Sequence, residues 1–232
     1  MNKKAYLFAK RVLDLCAAIC GIAVTLPLWL IAVIGIEVSD PGPVFYRARR
    51  IGKDGREFVM LKFRSMRVPR NEAQKSEAGF RADADRIFPF GAFCRAMKID
   101  ELPQLWNILL GTMSVVGPRP AAKDQATIMR GGAMALASAV RPGLTGPAAL
   151  YDYLYGDGIT DEEEYGQKVL PARKALELYY PKHMSMGLDI KVIAYTAICI
   201  LCRACGKMPQ GIYRQLLSWA AEEIQQFHSV GA

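Results

Sequence analysis

Two adjacent carboxylates, Asp100 and Glu101, stand among cations: Arg95 and Lys98 lie just upstream, and Arg119 follows in a Gly-Pro-Arg-Pro turn. Leu102, Leu105, Trp106, Leu109 and Leu110 recur at the spacing of one helix face, and Gly111 follows where a helix tends to stop. That spacing predicts a short amphipathic helix with Asp100 as N-cap and Glu101 in the first turn. Pro103 falls where the amides have no intrahelical partner to lose. A helix N-terminus surrounded by cations is an anion site, and phosphate suits it. Carboxylates placed among phosphates need a divalent metal to screen them, or a role as nucleophile, or both. Spacing alone leaves a plainer reading open, in which Asp100 caps, Glu101 complements the dipole and the Leu face is core. Capping carboxylates are far commoner than nucleophilic ones.

The chain that must position this pair has 232 residues, enough for one compact domain or a small domain with appendages. Apolar residues make up 52% of it and the formal net charge is +8. The mean hydropathy of +0.10 is high for a soluble protein. A basic balance fits nucleic acid or an anionic membrane surface, and the hydrophobic N-terminus favours the membrane. No aromatic-basic pattern resembles an RNA-binding motif, so no nucleic-acid partner is expected. Four of the six cysteines sit in apolar stretches, which fits reduced thiols facing the cytosol.

Lys3, Lys4, Lys10 and Arg11 precede an uncharged run of 22 residues, Leu15 to Ile36, long enough to span a bilayer. Pro27 falls near its middle, and a dense basic block runs from Arg47 to Arg70 beyond it. Lys and Arg mark the cytoplasmic side, so both ends prefer the same face. A helix broken at Pro27 that dips in and returns satisfies both, with the Thr25 hydroxyl available to freed backbone groups. A single spanning helix with a tolerated proline is the alternative, and charge alone does not decide. No small-residue cleavage site ends the run, so a signal peptide is not expected.

Asp40-Pro41-Gly42-Pro43 reads as a rigid exit. Residues 44–50 and 57–63 read as two short strands joined through residues 52–55, a basic hairpin facing solvent or lipid headgroups. Residues 70–86 read as a polar surface loop, and Phe88, Phe90 and Phe93 as core. Residues 121–140 are helix-prone but interrupted at Gly131-Gly132, and residues 141–146 form a turn-rich loop suited to close approach of a phosphate or nucleotide. Residues 152–165 are an acidic loop without EF-hand spacing. Residues 171–180 look helical, and 188–202 form an apolar helix too short to span, lying against membrane or core. Cys199, Cys202 and Cys205 lack a fourth metal ligand, because His183 and His228 are poorly placed, and read as small apolar helix residues. Ile212, Leu216, Ala220, Ile224 and Phe227 form the stripe of a final amphipathic helix.

DELPQLWNILLGTMSVVGPRP resembles the signature of the bacterial sugar transferases, the monotopic phosphoglycosyl transferases. The likeness continues through DPGPVFYRARRIGKDGREFVMLKFRSM (Asp40 to Met66) and RPGLTG (Arg141 to Gly146). The resemblance implies an α+β, mainly helical fold. Its parts are a re-entrant membrane anchor over residues 1–39, a small β-hairpin, and a catalytic domain over residues 40–232 with amphipathic interfacial helices. It implies transfer of a sugar 1-phosphate from a UDP-sugar to undecaprenyl phosphate, with release of UMP, as the first membrane step of glycan assembly. The place would be the cytoplasmic face of the bacterial inner membrane, among its lipids; homo-oligomer formation is left open. Carried over by motif, Asp100 is nucleophile and Mg²⁺ ligand, and Glu101 its partner toward the lipid phosphate or the metal. Lys62, Arg64, Arg95, Arg119 and Arg141 hold phosphates or position the carboxylates. Thr112 stands where the family usually carries an acid, and Pro147-Ala148-Ala149 replaces a more polar run; both bear on the sugar pocket, so no sugar is named. Two other functions compete: a membrane-bound Mg²⁺-dependent lipid-phosphate phosphatase, and a non-enzymatic adaptor for anionic lipid. The adaptor gives no reason for carboxylates inside a cationic site.

Overall fold

The computed structural model of the chain describes residues 2–67, 86–123, 125–159 and 161–230. It opens on α1 (Lys3–Ser39), whose first turn is capped by the Asn2 side chain accepting from Lys4 N. Tyr6, Lys10, Asp14 and Ala18, then Ala32 and Ile36, are buried along one face of α1. The opposite side exposes Phe8, Ile19, Val24, Leu30, Ile34 and Val38, and the helix is long and apolar enough to cross a membrane.

The break expected at Pro27 is not a break, because helical structure runs through it. The proline removes one rung of the ladder, and the turns beside it are tied by a side chain. Thr25 Oγ1 donates to Gly21 O at 2.6 Å and accepts from Trp29 Nε1 at 3.2 Å. Both halves of α1 rest on the same body. Near the N-terminus, Tyr6 Oη and Lys10 Nζ donate to Asp189 Oδ2 at 2.8 and 3.1 Å. Asp14 accepts from Ser114 Oγ and Val115 N at 2.9 and 2.8 Å. Toward the other end, Ala32 and Ile36 pack with Phe63, Phe88, Cys94 and Ile99. Gly35 makes the close approach there, since any side chain on it would collide with the Phe90 ring.

The hairpin forms as the sequence predicts, with β1 (Phe45–Ile51) and β2 (Glu57–Phe63) antiparallel in register from Phe45↔Phe63 to Ile51↔Glu57. Its connection turns through the left-handed region at Asp54 and Gly55, with φ of 56° and 73°. Brief strands follow: β3 (Ser114–Val116), β4 (Ala121–Ala122) and β5 (Gly143–Thr145). β4 extends the hairpin along β1, and β3 runs parallel to β5. None of the three was expected, because two or three residues are too few to show an alternation.

The remaining body is helical. Its elements are α2 (Pro89–Ala96), α3 (Gln104–Leu109), α4 (Ala126–Arg130), α5 (Pro147–Leu154), α6 (Glu162–Lys168), α7 (Leu170–His183), α8 (Met186–Ala204) and α9 (Gln210–Val230). Leu105, Ile108, Leu150, Leu176, Val192 and Leu216 meet in one core, so α3, α5, α7, α8 and α9 share a common interior. Of the stripe expected on α9, Ile212, Leu216 and Ala220 are buried, while the Phe227 side chain lies outside the described residues. The helix expected over 121–140 is instead β4, α4 and a 3-10 stretch, Gly132–Ala139, separated at Gly131. The acidic stretch is not a loop: it closes α5, makes a 3-10 turn (Gly156–Gly158) and starts α6, whose N-cap Asp161 accepts from Glu164 N at 2.7 Å. The loop expected at residues 70–86 lies outside the described residues except for Arg86.

Candidate active site

The approach to the carboxylate pair begins at Lys98. It takes φ +58°, a left-handed conformation uncommon for a residue with a Cβ. The chain leaves α2 through this kink and enters a 3-10 turn, Ile99–Glu101, before α3. The helix expected from 102 to 110 is therefore shorter, Gln104–Leu109, and Asp100 does not cap it. Pro103 occupies the cap position, and no side chain bonds an amide there. The buried face differs too. Leu105 and Ile108 enter the core beside the polar Gln104 and Asn107, while Trp106 and Leu110 are exposed at 47% and 73%. Asn107 explains this: its Oδ1 accepts from Leu61 N at 2.9 Å and its Nδ2 donates to Val59 O at 2.7 Å. One buried amide thus ties α3 to β2, and β2 carries Lys62 toward the acidic pair.

Asp100 is only 3% exposed, and its Oδ1 is buried without a hydrogen-bond partner among the described residues. Burial pushes its pKa up from the usual aspartate range, and Glu101 adds to this, while Lys62, Lys98 and Arg95 oppose it. Glu101 is displaced the opposite way. Burial would raise it, but Lys62, Lys98 and Arg119 outweigh burial and hold it well below the ordinary range. Lys62 Nζ donates to Glu101 Oε1 at 3.2 Å, and Lys98 Nζ lies 4.0 Å from the same oxygen. One member of the pair is thus a firmly ionised partner of lysine, and the other is a desolvated carboxylate with an unspent oxygen.

The cations expected around the pair divide into two groups. Lys62, Arg95 and Arg119 act on its charges, and Arg95 also lies with Nη1 3.9 Å from Met66 Sδ. Arg64 is engaged elsewhere: it binds Asp40 Oδ2 at 2.6 Å and the Asp40 carbonyl, stacks near Phe88, and fastens the end of α1. Arg141 donates from Nε to Gly111 O at 2.8 Å, beyond the C-terminal end of α3 and so at the end away from Asp100. Thr112, on the same side, exchanges hydrogen bonds with Asn107 at 3.1 and 3.2 Å. Ala148 is buried and Pro147 opens α5.

Residues that spacing did not single out complete the cluster. Asp152 accepts from Tyr165 Oη at 2.8 Å and faces Arg119 and Arg173 at 3.4 and 3.8 Å. Burial alone would raise its pKa, but Arg119 and Arg173 hold it below the usual value of 3.8. Arg119 N donates to Glu177 Oε2 at 3.0 Å, fixing the Gly-Pro-Arg-Pro turn on α7. Among the described residues, no group of three or more His, Cys, Asp or Glu side chains has metal-site geometry. Cys199 and Cys202 lie on α8, buried and half-buried, while Cys205 follows at its C-cap and is exposed.

Comparison with known proteins follows the same lines. The family model described as bacterial sugar transferase matches residues 5–203, and the chain belongs to that family. A UDP-glucose:undecaprenyl-phosphate glucose-1-phosphate transferase of Xanthomonas campestris pv. campestris is 37% identical over 198 residues, covering 84% of this chain and 39% of that protein. A transferase of the same description from Caulobacter vibrioides is 37% identical over 194 residues, covering 83% of this chain and 69% of that one. An exopolysaccharide production protein of Rhizobium leguminosarum bv. phaseoli is 34% identical over 209 residues, covering 86% of this chain and 98% of that protein. The chain therefore spans well under half of the Xanthomonas relative and nearly all of the Rhizobium one.

Proposed function

We propose that this protein transfers a sugar 1-phosphate from a UDP-sugar to undecaprenyl phosphate and releases UMP. The relatives' described activities support the overall reaction. The observation that carries the mechanism is Asp100 Oδ1, a buried carboxylate oxygen with no hydrogen-bond partner beside a lysine-bound glutamate. A capping aspartate would have spent that oxygen on an amide. Here it is free for phosphorus.

Both substrates are anions and repel each other, so a covalent relay separates the two encounters. Asp100 attacks the sugar-bearing phosphorus of the UDP-sugar, the bond to the UMP oxygen breaks, and UMP leaves with the electron pair. An oxygen of the lipid phosphate then attacks the phospho-aspartyl phosphorus and returns the carboxylate. Lys62, Lys98, Arg95 and Arg119 are the side chains whose fixed charges spread the negative charge of both transition states. Because Asp100 is so little exposed, the side chains around it give way as the substrate enters. A buried aspartate with an unpartnered oxygen beside a second carboxylate suits Mg²⁺, which binds through one or two carboxylates plus substrate phosphates, so Asp100 and Glu101 are the residues that would hold it. When bound, the ion supplies charge neutralisation between carboxylate and diphosphate.

The same reading makes α1 a one-sided membrane anchor at the cytoplasmic face. A helix of 37 residues is about 55 Å long. Its two ends are held by Asp189 and Arg64 of one body, which favours a helix kept to a single face over a crossing.

Replacing Asp100 by Asn tests the proposal. UMP release from a panel of UDP-sugars, with undecaprenyl phosphate present, should fall below detection while the protein remains in the membrane fraction. Substantial release by D100N would overturn the relay.

A further inference from the structure

Tyr153, on α5, carries two cations, of which the chemistry above uses Lys98 but not Arg203. Lys98 Nζ and Arg203 Cζ each lie 4.6 Å from the centroid of its ring. Arg203, in the last turn of α8, is locked there by donating from Nη1 to Tyr153 O at 2.6 Å. Lys98 is held from the other direction by its left-handed backbone at the entrance to the catalytic turn. Two like charges pinned to one aromatic ring repel each other unless an anion lies between them.

Asp157 supplies that anion loosely. Its Oδ2 lies 3.7 Å from Lys98 Nζ and 4.0 Å from Arg203 Nη1, so both are ion pairs beyond hydrogen-bond distance. Its charge also reaches Arg119. The carboxylate belongs to the Gly156–Gly158 turn, and the two glycines differ. A side chain on Gly156 would collide with Asp152 Oδ1, so that end is fixed against the buried cluster. At the other end, among the described residues, nothing lies within 4 Å of a side chain built on Gly158, and the Asp157 side chain is itself 32% exposed.

We propose that Lys98 and Arg203, held against Tyr153, form the seat for the nucleotide-side phosphate of the incoming nucleoside diphosphate, and that Asp157 fills this seat until the substrate arrives. The inference rests on the transferase reading. Lys98 bridges the two sites, 4.0 Å from Glu101 on one side and 3.7 Å from Asp157 on the other. A diphosphate reaching from Asp100 to this seat places its sugar-bearing phosphorus at the nucleophile and its second phosphate between the two cations. Phosphate offers more oxygens and more charge than one carboxylate, and guanidinium binds it in bidentate fashion. Displacing a carboxylate held at ion-pair distance costs little, because the side chain is 32% exposed and swings into water. The seat is thereby kept from bulk anions and opened by a better ligand. Arg203 is a binding residue that the motifs of the central stretch do not contain.

Binding of UDP and, separately, of inorganic pyrophosphate to the full-length membrane-reconstituted protein tests this. Asp157→Asn should tighten both by about three- to tenfold, the size expected for removing one partly screened competing charge. Arg203→Met should weaken both by at least as much, and Arg203→Lys should recover part of the loss. Weaker or unchanged binding in D157N would overturn the placeholder role, and unchanged binding in R203M would overturn the seat. Thermal midpoints measured alongside identify any variant that has lost its fold, and D157N, at a part-exposed position, serves as the isosteric probe. Pyrophosphate separates this proposal from the transferase reading. If it follows the predicted order while no UDP-sugar yields UMP, the seat stands and the reaction falls. If UMP is released but neither probe follows the order, the reaction stands and the seat falls.

Discussion

Asp100 and Asp152 belong to one charged cluster and are displaced in opposite directions, Asp100 upward by burial and Asp152 downward because Arg119 and Arg173 outweigh burial. Each displacement has a consequence for stability. An acid made weaker on folding opposes the folded state at neutral pH, so Asp100→Asn should raise the thermal midpoint at pH 7. A capping role predicts the reverse, a loss of about 1 kcal/mol. Asp152 stabilises the fold above its unfolded-state pKa, and that contribution drains as pH falls through its lowered folded-state value. Asp152→Asn takes away the buried carboxylate that faces the buried Arg173 and the half-buried Arg119, and should cost about 3 kcal/mol. In denaturant titrations the gap between wild type and D152N should be full above about pH 4 and narrow below it. A gap independent of pH would count against the assignment.

At the scale of elements, the short turn Ile99–Glu101 and the six-residue α3 owe their placement to a few buried polar groups. Arg11 donates to Ile108 O at 2.8 Å and Leu109 O at 3.0 Å, closing the C-terminal end of α3 from α1. Asn107 ties the same helix to β2. Asn107→Leu would leave Leu61 N and Val59 O unpaired, at about 2–3 kcal/mol, and lower the midpoint by roughly 5–10 °C. Calorimetry on the purified variant reads this directly, and a change under 1 °C would contradict it. The hairpin and the long helices were legible in the sequence because alternation, turn residues and apolar runs are local signals. Asn107, Asp152 and Glu177 were not, since a buried polar residue looks like a surface one until its partner is known, and their partners lie up to 58 residues away. The helical spacing of Leu102 to Leu110 was misleading for a related reason. It fits two faces of a short segment, and the amide of Asn107, rather than the apolar count, chose the one turned inward.

For the whole molecule, the arrangement joins an apolar helix to a basic body by polar contacts at both ends of that helix. The exposed apolar residues of α1 are continued elsewhere by Ile190, Ile198 and Leu201 of α8, which supports a body resting on the bilayer surface. Reporters fused at Met1 and at Ala232 should both appear on the cytoplasmic side, and opposite sides would mean that α1 crosses. The anchor, the site and the cation ring converge on Asp100, and so does the decisive test. The protein is incubated with a UDP-sugar carrying label in the phosphate next to the sugar, without undecaprenyl phosphate, then denatured and digested. One labelled peptide is expected, with the phosphate on Asp100, discharged when the lipid acceptor is added before denaturation. Full product formation with no label on Asp100 would contradict the relay.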